Sequence, residues 1–432
     1  MSTKAPMFRD GLTILWSKSL LADLVVSATL ALTVYCVYQD GKLFTKKNLV
    51  ELEPVFDGCV ESFQNCLDRE IAAGNKEQDF ARMLRYYTLD MTGEVVFGEP
   101  FGVLATNTDP ENILDRIDLA VYGITIGGVH NWIVPKLLKI ARRFNIGDVN
   151  FVRTRAKKCL DQSRARFEAS GKQSDDLMSK MLTLDHFSGR PYTEEEIQGM
   201  ASVFFAAATD TSAIVLRAFI YYMLENPECH ARLLDELSTA VTNNKLTLPS
   251  PTYDQTLELS YFQACLWETI RMWPSVHWIL PRVVPPNGLT LANCSNTFLP
   301  PATEIGISPF VLHRNQQTFG PDASKFNPDR WLGQDQNAKR RMMNNILTFG
   351  WGSRVCLGKN MALMGISKVL PGLILGYEFA WVKREPGSKH KYPKGRSQEG
   401  IEGIGEPLVA VSGFLGAQFD MWLTVSPRQH HH

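Results

Sequence analysis

Residues 349–358 read Phe349-Gly350-Trp351-Gly352-Ser353-Arg354-Val355-Cys356-Leu357-Gly358, and the reading of the whole chain turns on them. Glycines at 350, 352 and 358 break the segment into a loop whose backbone can take positive φ and approach a flat partner closely. Apolar residues return at helical spacing from Leu357 to Leu375, so Cys356 stands just ahead of a helix. Backbone N–H groups and the helix dipole at such a position favour a thiolate over a thiol. Arg354, two residues earlier, is placed to pair with an anionic group beside the sulfur. The plainer reading of a lone cysteine is a small buried hydrophobe in a turn. These surroundings argue instead for a ligand.

None of the other cysteines has comparable neighbours. Eight occur, at 36, 59, 66, 159, 229, 265, 294 and 356, without a C-x-x-C pair or a regular spacing. A disulfide framework and a zinc cluster are both disfavoured, and a reducing compartment is implied. The 432 residues carry 45 basic and 45 acidic side chains. No global field therefore draws the chain to nucleic acid. The three C-terminal histidines, 430–432, read as an uninformative tail.

Outward from the loop, the chain reads as a helical body with small sheets late in the sequence. Helical spacing of apolar residues covers 48–74, with further stretches near 78–97, 110–127, 148–170 and 175–184. Thr193 and Glu196 form a capping-box pattern opening a helix that runs to about 226, ahead of Pro227. Short β-prone runs follow at 278–284, 288–291 and 303–307, and 419–425 reads as a closing strand. Residues 383–405 read as a long exposed loop. The stretch 24–38 is uncharged and mostly apolar, yet shorter than the roughly 20 residues a spanning helix needs. Both a membrane contact and a buried helix or strand fit it.

The loop matches the signature F-x-x-G-x-R-x-C-x-G of the cytochromes P-450 through Phe349, Gly352, Arg354, Cys356 and Gly358, with Gly350 as the common additional glycine. By this resemblance Cys356 is the axial ligand of a haem b iron, Arg354 pairs with a haem propionate and Phe349 packs beneath the ligand. Pro281-Arg282 resembles the segment that supplies a second propionate-binding arginine. Glu268 and Arg271 share one helix face, a pairing that alone is weak and worth about 0.3–0.5 kcal/mol at a surface. With Arg330 in Phe326-Asn327-Pro328-Asp329-Arg330-Trp331 it resembles the family's buried Glu–Arg–Arg triad. Ala207-Ala208-Thr209-Asp210-Thr211-Ser212 resembles the motif in which a helix distortion makes room for dioxygen and an acid–alcohol pair relays protons. Asp210 and Thr211 match it, and Ala208 replaces the usual glycine. Read from the residues alone, those hydroxyls are equally well explained as back-bonded groups on a bent helix.

The resemblance implies a mainly α chain of the cytochrome P-450 fold, a large helical body with small β-sheets. Residues 48–432 form that domain, with the oxygen-groove helix at about 193–226 and the haem loop at 349–358. Residues 1–47 are atypical, and the usual N-terminal strands are lacking. Met7-Phe8-Arg9-Asp10-Gly11 resembles the approach to a W-x-x-x-R propionate clamp, but Leu20 stands four residues after Trp16. The implied activity is a monooxygenase of the fungal microsomal type. It would insert one atom of O2 into a small lipophilic substrate, with electrons from NADPH through a flavoprotein reductase, and would belong to secondary metabolism or detoxification. The expected location is the cytosolic face of the endoplasmic reticulum membrane. Two alternatives remain open: a haem-thiolate isomerase or dehydratase that needs no reductase, and a non-catalytic remnant that binds haem weakly. The Asp210-Thr211 pair favours the monooxygenase.

Overall fold

Apolar spacing in the first half is converted into helices that bury one face. The computed structural model describes residues 44–129, 151–170, 176–183, 190–292, 296–333, 335–382, 409–419 and 421–429. The apolar stretch at 24–38 and the exposed loop expected at 383–405 lie outside them. A single turn, Lys46–Val50, precedes α1 (Glu53–Ala72), which buries Phe56, Val60, Phe63 and Leu67 along one stripe. The single helix expected from residue 48 is thus broken before Pro54, which takes the first turn of α1 where its missing N–H costs nothing. β1 (Glu77–Asp79) leads into α2 (Phe80–Thr92), where Asp79 caps the helix by accepting the Arg82 N–H at 3.1 Å. α2 continues into a π-turn at Gly93–Phe97. α3 (Ile113–Val129), α4 (Phe151–Ser170) and α5 (Leu177–Leu182) follow.

The spine is α6 (Glu194–Glu225), 32 residues and so about 48 Å long. Its start is the capping box legible in the sequence: Glu196 N–H donates to Thr193, and Thr193 N–H donates to the Glu196 carboxylate. Arg190 holds that carboxylate in a two-pronged pair, and its hydrogen bonds bring Glu196 down to about 2. α6 packs along α2 on one side and α4 on another. α7 (Pro227–Thr242) and α8 (Ser260–Met272) complete this half. By length and composition α6 could cross a membrane, but it is mostly buried inside the protein and reads as a core helix.

The second half supplies small sheets around two helices. β2 (Arg282–Val283), β3 (Leu289–Leu291), β4 (Thr297–Leu299) and β5 (Glu304–Ile305) form two antiparallel pairs, β2 with β5 and β3 with β4. α9 (Gln336–Asn344) precedes the cysteine loop, and α10 (Lys359–Gly376) follows it. β6 (Tyr377–Trp381), β7 (Val409–Ser412), β8 (Gly416–Phe419) and β9 (Trp422–Pro427) close the chain. The single strand expected at 419–425 is in fact two. β8 forms a hairpin with β7, while β9 lies between β1 and β6 with Leu423 and Val425 turned into the core. On the small sheets and beside them, Ile279, Val283, Phe298, Ile307 and Val311 are exposed among the described residues.

At the end of α8 the ion cluster anticipated from sequence is complete. Glu268 accepts Arg271 Nη2 at 2.7 Å and Arg330 Nε at 2.9 Å, and its second oxygen takes Arg271 Nε at 2.8 Å. The Asn327 N–H and the Trp331 indole occupy further lone pairs. Asp322, partly exposed, pairs with Arg330 at 3.0 Å, so two acids balance two guanidiniums around the buried Glu268. Such a cluster earns little net stability but is costly to break. Glu268→Gln leaves Arg271 without its counter-charge and is expected to cost about 3–5 kcal/mol in a urea unfolding curve. A loss below about 1 kcal/mol would mean that the cluster is a solvated contact.

Candidate active site

The cysteine loop is built by its glycines. Gly350 and Gly352 sit at φ 72° and 65°, the left-handed region that a side chain disfavours. A Cβ on Gly350 would stand 3.1 Å from the Arg354 carbonyl. The fold-back this allows is closed by the Cys356 N–H, which donates to the Phe349 carbonyl at 2.6 Å. Phe349 is half-buried against the core beneath the loop, with the Lys359 ammonium 5.6 Å from its ring centre. Cys356 precedes the first turn of α10, and the Lys359 N–H donates to its carbonyl. A Cβ at Gly358 would stand 3.9 Å from the sulfur.

The expectation that this position alone favours the thiolate needs correction. Cys356 is exposed on one side, while the loop packed around the other desolvates it and pushes its thiol up. The N–H groups of Gly358 and Lys359 and the Lys359 ammonium pull it down, but less strongly. A cation at the sulfur, such as a coordinating metal, would oppose that shift and favour the thiolate.

Midway along α6, Val203, Ala207 and Thr211 form a partly open stripe on a helix that is otherwise sealed from residue 212 to 223. The Thr211 hydroxyl donates to the Ala207 carbonyl at 2.8 Å, and α6 is an uninterrupted α-helix through this point. The local distortion expected from the resemblance is therefore not present, and the back-bonded hydroxyl is. Asp210 points elsewhere, into a buried cluster beneath the stripe. Its Oδ1 lies 2.8 Å from Arg85 Nε, and Arg85 also pairs with Asp118 of α3 at 2.9 Å. Burial pushes the Asp210 carboxyl up, and Arg85 only partly opposes it because that guanidinium is shared with Asp118. Burial also works against the charge on Arg85, but the two carboxylates outweigh it and its pKa rises. Arg217, one side of the same cluster, bonds only carbonyls, those of Ala81 and Gln418, and burial brings it down to about 10.

Sequence reading missed Arg85, Asp118 and Arg217. A lone charge on an amphipathic helix carries no local mark of a distant buried partner. It also missed Ser275, whose hydroxyl donates to the Thr211 carbonyl at 2.7 Å and ties the segment after α8 to the stripe.

A haem group needs a soft ligand on an open face, close backbone approach and cations for its carboxylates. The residues present fit. Cys356 offers the sulfur, and the glycine loop gives the approach. Arg354 is exposed and makes no hydrogen bond or ion pair among the described residues. Arg282 is exposed on β2, its guanidinium held by the carbonyls of Leu280 and Pro281, and no bond links it to the loop. A cleft of about 410 Å³ opens beside the loop between Trp267, Ile346, Phe349, Trp351 and Lys359. No α6 residue lines it, so it is not where the stripe would present a substrate.

Comparison with known proteins gives the family and the fold. The family model described as Cytochrome P450 matches residues 41–395. The chain is 32% identical over 358 residues to cytochrome P450 monooxygenase mpaDE' of Penicillium brevicompactum, a match covering 80% of the chain and 41% of that protein. It is 28% identical over 352 residues to cytochrome P450 monooxygenase ACRTS1 of Alternaria alternata, covering 80% of the chain and 92% of that protein. The chain thus spans about two fifths of the Penicillium relative it matches. In fold it resembles the crystal structure of a cytochrome P450, CYP102L1, with a TM-score of 0.70 at 19% identity, covering 91% of the chain and 78% of that structure.

The electrostatics of the loop can be tested without haem. With its pKa raised, Cys356 carries less thiolate at pH 8 than an ordinary cysteine, so alkylation followed on its own peptide should be slower and should rise at higher pH. Removing the Lys359 ammonium by Lys359→Ala takes away a downward pull, so the profile should move further up. An unchanged or faster reaction in that variant would contradict the assignment of charges.

Proposed function

Since the chain belongs to the cytochrome P450 family, we propose that it is a haem-thiolate monooxygenase that oxidises a small lipophilic substrate with O2. The observation that carries this reading is Cys356, held on an exposed face by a glycine loop whose backbone closes behind it. Cys356 would hold the iron, with Arg354 and Arg282 as the cations for the propionates. When bound, haem supplies the activation of dioxygen, favoured by the electron density a thiolate ligand pushes toward the O–O bond.

The chain's own residues then have definable tasks. Thr211 presents its hydroxyl on the open stripe of α6, and its proton is engaged by the Ala207 carbonyl, so the oxygen is free to accept from a donor above it. Asp210 takes up a proton more readily than a free aspartate and is held in the buried cluster one residue away. No bond joins the two side chains, so a proton passing from Asp210 to the Thr211 oxygen would need a bridging group such as a water between the cluster and the stripe. Val203 and Ala207 keep the rest of the stripe apolar, in keeping with a lipophilic substrate.

Electrons would come from NADPH through a flavoprotein reductase. Lys339, Arg340 and Arg341 lie on α9, beside Met343 and Ile346 of the 410 Å³ cleft, and Trp351 is exposed at its edge. A basic patch around an apolar cleft suits an acidic partner surface, with an association that weakens as salt rises. Retention of an acid–alcohol pair on α6 favours this reading over an isomerase or dehydratase. The kinship with fungal enzymes supports a place in secondary metabolism. The cytosolic face of the endoplasmic reticulum membrane rests on the motif resemblance to microsomal members alone.

The test is Thr211→Ala in the haem-loaded chain supplied with reductase and NADPH. Substrate binding should be nearly unchanged, while product formation falls by roughly 10²-fold and NADPH oxidation continues into hydrogen peroxide. Unchanged product per NADPH would reduce Thr211 to a back-bonded hydroxyl.

A further inference from the structure

The last four carbonyls of any α-helix have no partner within it, and how α8 satisfies its own is informative. The Thr269 carbonyl accepts the Trp273 N–H at 2.8 Å, an ordinary final turn. The next three are taken by side chains. The Ile270 carbonyl accepts the Thr348 hydroxyl at 3.0 Å, the Arg271 carbonyl accepts His313 Nδ1–H at 3.0 Å, and the Met272 carbonyl accepts Arg314 Nη2 at 2.8 Å. Thr348 directly precedes Phe349, the residue whose carbonyl closes the cysteine loop. His313 reaches the same segment from its other nitrogen, where Nε2 accepts the Leu347 N–H at 2.8 Å.

His313 is fully buried, and its two bonds require opposite roles of the two ring nitrogens. Only the neutral imidazole with its proton on Nδ1 can donate to one carbonyl and accept from one amide. Burial keeps it neutral by pushing its pKa down to about 3. Arg271 grips the residue a second time, Nη1 donating to the His313 carbonyl at 2.7 Å. An unbroken line of bonds therefore runs from the Glu268 carboxylate through Arg271 and His313 to Leu347, and from the Ile270 carbonyl through Thr348 to the loop itself.

We propose that Thr348 and His313 are positioning residues for Cys356, docking the cysteine loop on the C-terminal carbonyls of α8 so that the place of the sulfur is set by the ion cluster. This rests on Cys356 being the haem ligand. Groups that hydrogen-bond a metal ligand typically alter metal affinity about 10–100-fold when removed, and Thr348, one residue before the Phe349 carbonyl that takes the Cys356 N–H, is expected at the low end of that range. A helix cap with no further role would affect unfolding and leave the ligand bond alone, and that difference decides the matter.

The experiment compares Thr348→Val, which removes the hydroxyl at nearly constant shape, with Thr348→Ser, which keeps it, in the haem-loaded full chain. Thr348→Val should release haem to an acceptor protein about 10-fold faster and convert part of the reduced-CO thiolate band into the form without thiolate. Thr348→Ser should match the parent in both. In the haem-free chain, His313→Phe should speed hydrogen exchange at the Leu347 amide about 10-fold, the loss of one hydrogen bond. Should His313→Phe fail to fold, the Thr348 pair decides alone. A Thr348→Val chain that keeps its haem and its full thiolate band would overturn the proposal and leave the proposed function standing. A parent chain without any thiolate band would overturn the proposed function first, and this inference with it.

Discussion

Glu268 is a carboxylate with no exposed surface, and the second half of the chain is arranged around what that requires. A buried charge must be paired and hydrogen-bonded on every lone pair or it destabilises the fold. Arg271 meets the need from the same helix, and Arg330 brings with it the segment 326–331. Asp322 then neutralises the excess positive charge. Four side chains from three segments are thereby locked, and their positions fix the end of α8 against which the cysteine loop rests. The chemistry proposed for Cys356 depends on this cluster although no member of it touches the sulfur.

A second charged cluster lies under α6, and its logic differs. Around Glu268 two carboxylates balance two guanidiniums, with Asp322 at the partly exposed rim. Around Asp210 one guanidinium is divided between two carboxylates, and Asp118 retains some exposure to solvent. Burial raises the Asp210 carboxyl, whereas both oxygens of Glu268 are taken by hydrogen bonds from Arg271, Arg330, Asn327 and Trp331. One cluster fixes the end of α8, and the other holds a carboxyl that burial pushes up.

Sequence alone went far where the physics is local. The capping box at Thr193 and Glu196, the glycines at 350 and 352 and the spacing of Glu268 to Arg271 each constrain a few neighbouring residues, and each is found as read. It faltered where distant segments decide. The strand expected at 419–425 divides because its two halves join different partners, β7 on one side and β1 with β6 on the other. Asp210 looks from sequence like one half of a pair with Thr211, yet its nearest charge is on α2, far away along the chain. The thiol of Cys356 stands higher than the helix start alone would suggest, because desolvation by the folded loop is a tertiary effect. His313, Thr348 and Arg314 carry no sign in the sequence that they cap one helix in common.

Everything proposed for this chain hangs on the sulfur of Cys356 binding iron. The most direct measurement is the reduced-CO difference spectrum of the haem-supplied 432-residue chain beside that of its Cys356→Ser variant, each normalised to haem per polypeptide. A neutral alcohol is a poor partner for the iron that a soft thiolate suits. The account predicts a thiolate-type band in the parent that is absent from the variant. A parent lacking that band, or a variant that retains it, would contradict the assignment.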